Sequence, residues 1–304
     1  MVRRPHPLII TKPGEALEPI IPVRVTDMRG VDLNVWRFDW DLTFAAVIVH
    51  PDGTLLASYG GRDERGADHW LTERSYAAFL KAGLDAYAAA PEVDKKQNEP
   101  TSPLTVDSIP AFAERDRGVC IHCHSALPAL RHQAQREDRW KEESLWVYPP
   151  PSKIGVDLDR DEQALVTPVQ EGSAAARAGV KIGDRLANFA SASDLMNWLD
   201  GLPASGAAHE LEVLRAGETV TLPLRLPENW KTYTPREFAW RPSKWGLSPA
   251  PGFGGPVLGK GALERAGLDS DTFAFQVNYL VTWGENQRWG QAAARSGIRD
   301  GMVV

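Results

Sequence analysis

The stretch AAARAGVKIGDRL, residues 174–186, decides how the second half of this chain is interpreted. Its composition predicts a short helix, a turn at each of Gly179 and Gly183, and then a strand. The pattern returns as AAARSGIRDGMVV at 292–304, with Met302 at the position of Asp184. The preceding strands also align, QALVTPVQEGS with YLVTWGENQRW. Because a recurring pattern indicates a repeated structural unit, the chain is predicted to contain one complete unit and the start of a second.

The neighbouring sequence extends this unit. KIGVDLD alternates as a strand does, SASDLMNWLDGL is an amphipathic helix capped by Ser191 or Ser193, and a hairpin turns around Ala216–Gly217. This order, with the apolar loop Ile154-Gly155-Val156, resembles a PDZ domain over about residues 148–227.

The N-terminal half contains a second recognisable group of elements. FAAVIV at 44–49 and TLLASYGG at 54–61 flank the turn PDG, which predicts a β-hairpin. LTERSYAAFLKAGLDAYAA has apolar residues at helical spacing, with Thr72 or Ser75 as its N-cap. A hairpin followed by a packed helix resembles the end of a thioredoxin-like domain.

The whole order is similar to an exported thioredoxin-like/PDZ family of planctomycete-type bacteria that carries a C-x-x-C-H motif. The fold class expected is α/β and α+β, multidomain. In chain order, the predicted parts are a thioredoxin-like domain at 1–91, a linker with the C-x-x-C-H helical segment at 92–147, a PDZ domain at 148–230, a Trp/Pro/Gly-rich linker at 231–270 and a partial second PDZ-like unit at 271–304.

The composition and net charge argue against nucleic-acid binding and against a membrane span. The 304 residues have a formal net charge of −6 and a pI of about 5.7, which gives no basic face for nucleic acid or an anionic membrane. No apolar run approaches the length of a membrane span. The start MVRRPHPLII is too short in its apolar part for a signal peptide, so the protein is either cytosolic or has a signal that is not present in this chain. Its 11 tryptophans and 23 prolines suggest a rigid, exported protein, and we expect a periplasmic-type location.

The motif CIHCH, residues 120–124, contains the only two cysteines of the chain. Its spacing is that of covalent haem c attachment, with Cys120 and Cys123 as thioether ligands and His124 as proximal iron ligand. Met28, His69 and His132 are the candidates for a sixth ligand. Haem c is therefore the first interpretation of this motif.

Three other interpretations stay open. A C-x-x-C pair suggests a redox dithiol, although here it follows the final helix of the thioredoxin-like part rather than its first strand. Cysteine and histidine are also ligands for Zn²⁺ or Cu(I), but a second ligand pair is missing from the sequence. The fourth interpretation is a Cys120–Cys123 disulfide in a protein without any cofactor.

The PDZ resemblance implies a binding site for a protein C-terminus or an extended peptide. The backbone N–H groups of Ile154, Gly155 and Val156 would bind a carboxylate, Asp157 and Leu158 would pair with the peptide, and Met196 would face the groove. No catalytic motif of a hydrolase, metalloprotease or nucleotide-binding enzyme is present, which points away from a classical enzyme. The sequence thus predicts an exported adaptor with a redox-type C-x-x-C-H site.

Overall fold

The computed structural model describes residues 20–51, 53–89, 102–114, 120–246, 251–283 and 287–304. The chain forms two compact units, 1–246 and 247–304. Helices are mixed with small antiparallel sheets of two or three strands, which confirms the coarse prediction of a mixed α and β fold. None of the helices within these ranges is long and apolar enough to cross a membrane. The finer division into five parts stays a prediction.

The strands are β1 Ala45–Val49, β2 Leu55–Gly60, β3 Val156–Leu158, β4 Val166–Val169, β5 Arg185–Leu186, β6 Ala207–Arg215, β7 Glu218–Leu226, β8 Phe253–Gly254 and β9 Tyr279–Leu280. The helices are α1 Glu73–Ala89, α2 Pro110–Ala113, α3 Ala126–Arg136, α4 Ala174–Ala178, α5 Ala192–Gly201, α6 Pro235–Phe238, α7 Lys260–Arg265 and α8 Gln287–Arg295. The sheets pair β1 with β2, β3 with β4, β5 with β6 and β7 in that order, and β8 with β9.

The predicted N-terminal hairpin and helix are confirmed as elements. Strands β1 and β2 are antiparallel, with an irregularity between Ile48 and Val49. Thr72 caps α1, because its hydroxyl accepts the backbone N–H of Ser75 at 3.1 Å. Helix α1 packs on β2 through an aromatic cluster that includes Tyr59 and Phe79, whose ring centroids lie 5.3 Å apart. The hairpin is thereby anchored on its helix.

The C-x-x-C-H segment sits on a second apolar cluster. Met28, Leu33 and Trp40 from the N-terminal loops pack there against Ile121 and residues of α2 and α3. The helix predicted after the motif is present but shorter, since α3 ends at Arg136 and is followed by Asp138 in the left-handed conformation with φ 53°. Position 138 therefore turns the chain away from the helix axis.

Residues 154–226 carry the third cluster and follow the predicted element order. Ser173 and Ser191 cap α4 and α5, and Gly179 ends α4 with φ 92°. The hairpin of β6 and β7 turns at Ala216 and Gly217, which both have positive φ. Asp184, at the turn before β5, is buried and bonded to Arg215 by two hydrogen bonds of 2.7 and 2.8 Å.

Two backbone hydrogen bonds between Val166 and the turn at 183–184 recur between Val277 and the turn at 301–302. Gly183 donates to the carbonyl of Val166 at 2.9 Å, and Gly301 donates to that of Val277 at 2.7 Å. Val166 in turn donates to Asp184, as Val277 donates to Met302. The repeat of 174–186 at 292–304 is therefore confirmed in structure as well as in sequence.

The predicted alignment of the preceding strands is wrong. The end of the repeat pairs through an isolated bridge with the extended segment 275–277, whereas Tyr279 and Leu280 form β9 and pair with β8. The connection from that segment to the following helix is longer in the second copy than in the first. Applying the spacing of the first copy to the second therefore places the pairing segment too far along the chain.

Candidate functional site

The two cysteines of CIHCH occupy different environments. Cys120 is exposed, while Cys123 is half-buried at the first residue of a 3-10 turn that leads directly into α3. Ile121 between them is buried and fixes the segment, because its N–H donates to the Asp27 carboxylate and its carbonyl accepts from Met28 at 2.9 Å. Both thiols are free. The motif therefore offers one thiol to solvent and holds the other against the protein.

The Cys123 thiol faces the interior side of the segment. Its Sγ lies 3.9 Å from the carbonyl oxygen of Leu42, and the side chain packs against the cluster that contains Met28 and Trp40. Burial raises the pKa of this thiol, and the carboxylates of Asp41 and Asp39 raise it further. Cys123 is thus held as a protonated thiol at neutral pH.

The two histidines of the motif lie side by side. The rings of His122 and His124 are stacked, with centroids 5.5 Å apart and an angle of 11° between the planes. Partial desolvation lowers the pKa of the His124 imidazole, and the neighbouring His122 lowers it further. His124 is therefore a neutral imidazole at neutral pH, the form that binds a metal.

A buried polar cluster lies behind Cys123. The Arg241 guanidinium donates to Asp39 at 2.9 Å and to Asp41 at 3.2 Å. Ser243 donates its N–H and its hydroxyl to the Asp41 carboxylate at 2.9 and 2.7 Å, and Arg131 of α3 donates to Ser243 at 2.8 Å. Burial raises the pKa of Asp39 despite its arginine partner.

The carboxylates of this cluster come from one short loop, Asp39 to Asp41, and their cation comes from a distant stretch. Both aspartates precede β1 in a turn, and their partner Arg241 lies some 200 positions further along the chain. An arginine in a Trp/Pro-rich stretch carries no local pattern that identifies such a partner. The surrounding rings of Trp240 and Tyr233, 4.5 and 5.7 Å from the guanidinium, are the only local hint.

The predicted peptide-binding loop is occupied by bonds within the chain. The N–H groups of Ile154 and Gly155 donate to the carbonyls of Pro151 and Ser152 at 3.2 and 3.0 Å. Gly155 has φ 86°, and a Cβ there would lie 2.0 Å from the Cβ of Ser173. The loop therefore needs glycine at this position for the packing of its own chain.

The remaining predicted peptide contacts lie on β3 and α5. Val156, Leu158 and Met196 are buried, and the partly exposed carboxylate of Asp157 pairs with Arg65 at 2.9 Å. The structure brings Cys120, Cys123 and His124 together at one site. Of the proposed sixth ligands, Met28 lies in the cluster on which Cys123 packs, whereas His69 packs edge-to-face against Trp70 and His132 lies on α3.

Within the part of the chain that the structure describes, no group of three or more His, Cys, Asp or Glu side chains is arranged to hold a metal ion. No family model matches the chain. A curated protein of Ralstonia nicotianae, named as a putative zinc metalloprotease, is 33% identical over 100 residues. The match covers 31% of this chain and 17% of that protein, which is too little to show a common family.

Proposed function

We propose that CIHCH is a redox site that exchanges thiols and disulfides with a partner protein. The observation that carries this proposal is the unequal exposure of the two cysteines at the start of α3, with Cys120 in solvent and Cys123 half-buried. An accessible thiol attacks a substrate disulfide readily, and a shielded neighbour two residues away is placed to resolve the product.

The exchange has two steps. The Cys120 thiolate, formed by loss of its proton to solvent, attacks one sulfur of the substrate disulfide, and the other sulfur leaves as a thiolate that takes up a proton. Cys123 then loses its proton and attacks the Cys120 sulfur, which releases the second substrate thiol. Overall, one substrate disulfide is reduced to two thiols, and Cys120 and Cys123 are oxidised to one disulfide.

Trapping of the intermediate tests this proposal. In Cys123→Ser the resolving thiol is missing, so we expect a stable mixed disulfide at Cys120 with a small model disulfide, seen as a mass increase that dithiothreitol reverses. Cys120→Ser is the matched variant and is expected to accumulate far less adduct, because Cys123 is shielded. Equal adducts in both variants, or none in Cys123→Ser, would contradict the proposed roles.

Covalent haem c is a second candidate, favoured by two observations. His124 is held as a neutral imidazole, and the candidate sixth ligand Met28 is bonded through its backbone to Ile121 inside the motif. Cys120, Cys123 and His124 would hold the haem, which would supply one-electron transfer when bound. Attachment would require the Cys123 side chain to turn away from Leu42, since both sulfurs must reach one porphyrin edge.

We propose further that residues 148–230 form a PDZ domain and that the N-terminal part is a thioredoxin-like docking domain of an exported adaptor. Support comes from the element order of β3 to β7 and from the hairpin of β1 and β2 on α1. An exported location would suit a C-x-x-C pair that cycles with disulfides. The proposed partner is a protein, because the PDZ resemblance implies a polypeptide ligand and thiol–disulfide exchange can act on a protein disulfide.

A further inference from the structure

The surface between β3 and α5 is covered by the chain's own residues 58–74, here termed the docked segment. PDZ domains add an extended peptide at the edge of such a strand, beside the helix. Among the described residues β3 pairs only with β4, so its other edge carries no strand. The docked segment, which runs from the end of β2 to the start of α1, lies over this surface and contacts it through side chains and through backbone groups of Ser58 and Trp70.

Ser58 anchors one end of the docked segment on α5. Its N–H and hydroxyl donate to Oδ1 of Asp194 at 2.6 and 2.7 Å, and its own oxygen accepts from Asn197 at 2.8 Å. The Ser191 hydroxyl donates to the carbonyl of Ser58 at 2.5 Å. Ser58 is buried, so these four bonds are shielded from water.

Arg65 anchors the middle of the docked segment on β3. Its guanidinium bridges Asp63 of the same segment and Asp157 of β3, with nitrogen–oxygen distances of 2.7 and 2.9 Å. The Arg65 and Asp157 side chains are 32% and 41% exposed, so this pair is open to solvent. Such a pair holds the segment weakly and is readily broken.

Trp70 fills the apolar interior beneath the surface. It is 1% exposed and belongs to the same cluster as Ile154, Val156 and Leu199. Its indole N–H donates to Asp63 at 3.0 Å, and its carbonyl accepts from the Gln163 side chain at 2.6 Å. A large apolar side chain bound beside β3 is what a peptide ligand would supply.

We propose that the docked segment is an internal ligand of the β3–α5 surface, and that a peptide with an apolar C-terminus binds there only after this segment is displaced. The solvent-exposed bridge from Arg65 to Asp157 is the weak contact from which the loop part of the segment, 61–72, can open, and the shielded bonds of Ser58 oppose that opening. The partner class is an extended polypeptide with an apolar end that replaces Trp70. This proposal does not depend on thiol chemistry at Cys120.

The test uses Ser58→Asp in the full chain. The new carboxylate would lie against Asp194 inside a shielded contact, so like charges would expel the segment. We expect a fluorescein-labelled decapeptide ending in valine to bind this variant at least about tenfold more tightly than the wild type, as expected when a closed state is depopulated. Hydrogen exchange of residues 58–74 is expected to rise in the same variant.

Ser102→Asp, at an exposed position, is the matched control and is expected to behave as the wild type. If the wild type binds the peptide as tightly as Ser58→Asp, the surface is already free and the proposal is wrong. If residues 58–74 exchange rapidly but the peptide still does not bind, the segment has no ligand role and the proposal is equally wrong.

Arg65→Ala is a second variant in case Ser58→Asp does not fold. It removes the exposed bridge to Asp157 together with the bonds to Asp63 and the contact with the Trp70 ring, and a smaller gain in peptide affinity with faster exchange near residue 65 is expected. An unchanged affinity at measurably faster exchange would overturn the proposal. The Cys120 trapping assay, run on the same variants, separates this result from a failure of the redox site.

Discussion

At the scale of single residues, the conformation of Gly155 gives the sharpest stability prediction. Gly155→Ala requires a left-handed backbone and a Cβ 2.0 Å from that of Ser173, so we expect a loss of about 2–4 kcal/mol in the free energy of unfolding. Gly172→Ala is the matched control, because its φ is 69° but its Cβ would meet open space, and about 1 kcal/mol is expected. Urea unfolding measures both, and equal losses would contradict the contact with Ser173.

The Asp184–Arg215 pair gives a prediction with a defined pH dependence. Hydrogen bonds from Arg215 lower the pKa of the Asp184 carboxyl below its value in the unfolded chain. The stabilisation is therefore present above the unfolded pKa, near 4, and is lost as pH falls through the lower folded pKa.

For Asp184→Asn we expect a loss of about 1–3 kcal/mol in the free energy of unfolding at pH 7. The difference in stability between the variant and the wild type is expected to be smaller in acid, below the pKa of the unfolded chain. Urea midpoints at pH 7 and pH 3 measure this, with Arg215→Met completing a double-mutant cycle. A difference from wild type that is unchanged between the two pH values would argue against the pair.

At the scale of elements, the caps of α4 and α5 can be compared directly. Ser173 accepts only the N–H of Ala176, whereas Ser191 caps α5 and also donates to the carbonyl of Ser58. Ser191→Ala is expected to cost about 2–3 kcal/mol and Ser173→Ala about 1 kcal/mol. Thermal and urea unfolding measure both, and an equal cost would show that the bond to Ser58 contributes nothing.

The elements also show what could be predicted from sequence. The hairpin of β1 and β2, the Thr72 cap and the repeat at 292–304 depend on neighbouring residues, and the sequence predicted all of them. The pairing of Arg241 with Asp39 depends on residues far apart in the chain. Local patterns contain no information on such partners, so this contact and the docking of Ser58 on α5 appeared only in the structure.

The sequence predicted only part of the candidate site, because the rest depends on contacts between residues far apart in the chain. The spacing of Cys120, Cys123 and His124 identifies the motif without a structure. The unequal exposure of the two thiols follows from packing on Met28 and Leu42, which reach the motif from distant positions. The sequence therefore leaves several chemistries possible for this motif, and the unequal packing of the two thiols favours thiol exchange.

At the scale of the whole molecule, the buried cluster around Arg241 joins residues from three separate stretches of the first unit. Arg241→Met would leave Asp39 and Asp41 buried without their cation, and a loss of about 3–5 kcal/mol is expected. Burial already raises the pKa of Asp39, and loss of Arg241 would raise it further.

A raised folded pKa favours the protonated state, so the stability of Arg241→Met is expected to fall as pH rises above the unfolded value near 4. Urea unfolding at pH 5 and pH 8 measures this loss. Arg136→Met is the control, because Arg136 forms an exposed pair with Glu114 and no other ion pair within the described ranges, and its loss is expected to cost less than about 1 kcal/mol. Similar losses in the two variants would contradict a structural role of the cluster.

Exchange between the CIHCH thiols and a partner disulfide is the proposal on which the functional interpretation of this protein depends. It is measured by the denatured intact mass of the protein, produced with an export signal in a cell that attaches haem c and analysed before and after dithiothreitol. We expect a mass lower than that of the reduced chain by two hydrogen atoms, with Cys120 and Cys123 linked, and dithiothreitol should restore the reduced mass. The reduced chain should then convert a model disulfide to two thiols, which a structural disulfide without exchange activity would not do. A mass increased by one haem that survives denaturation and reduction would contradict it and establish covalent haem at the same residues.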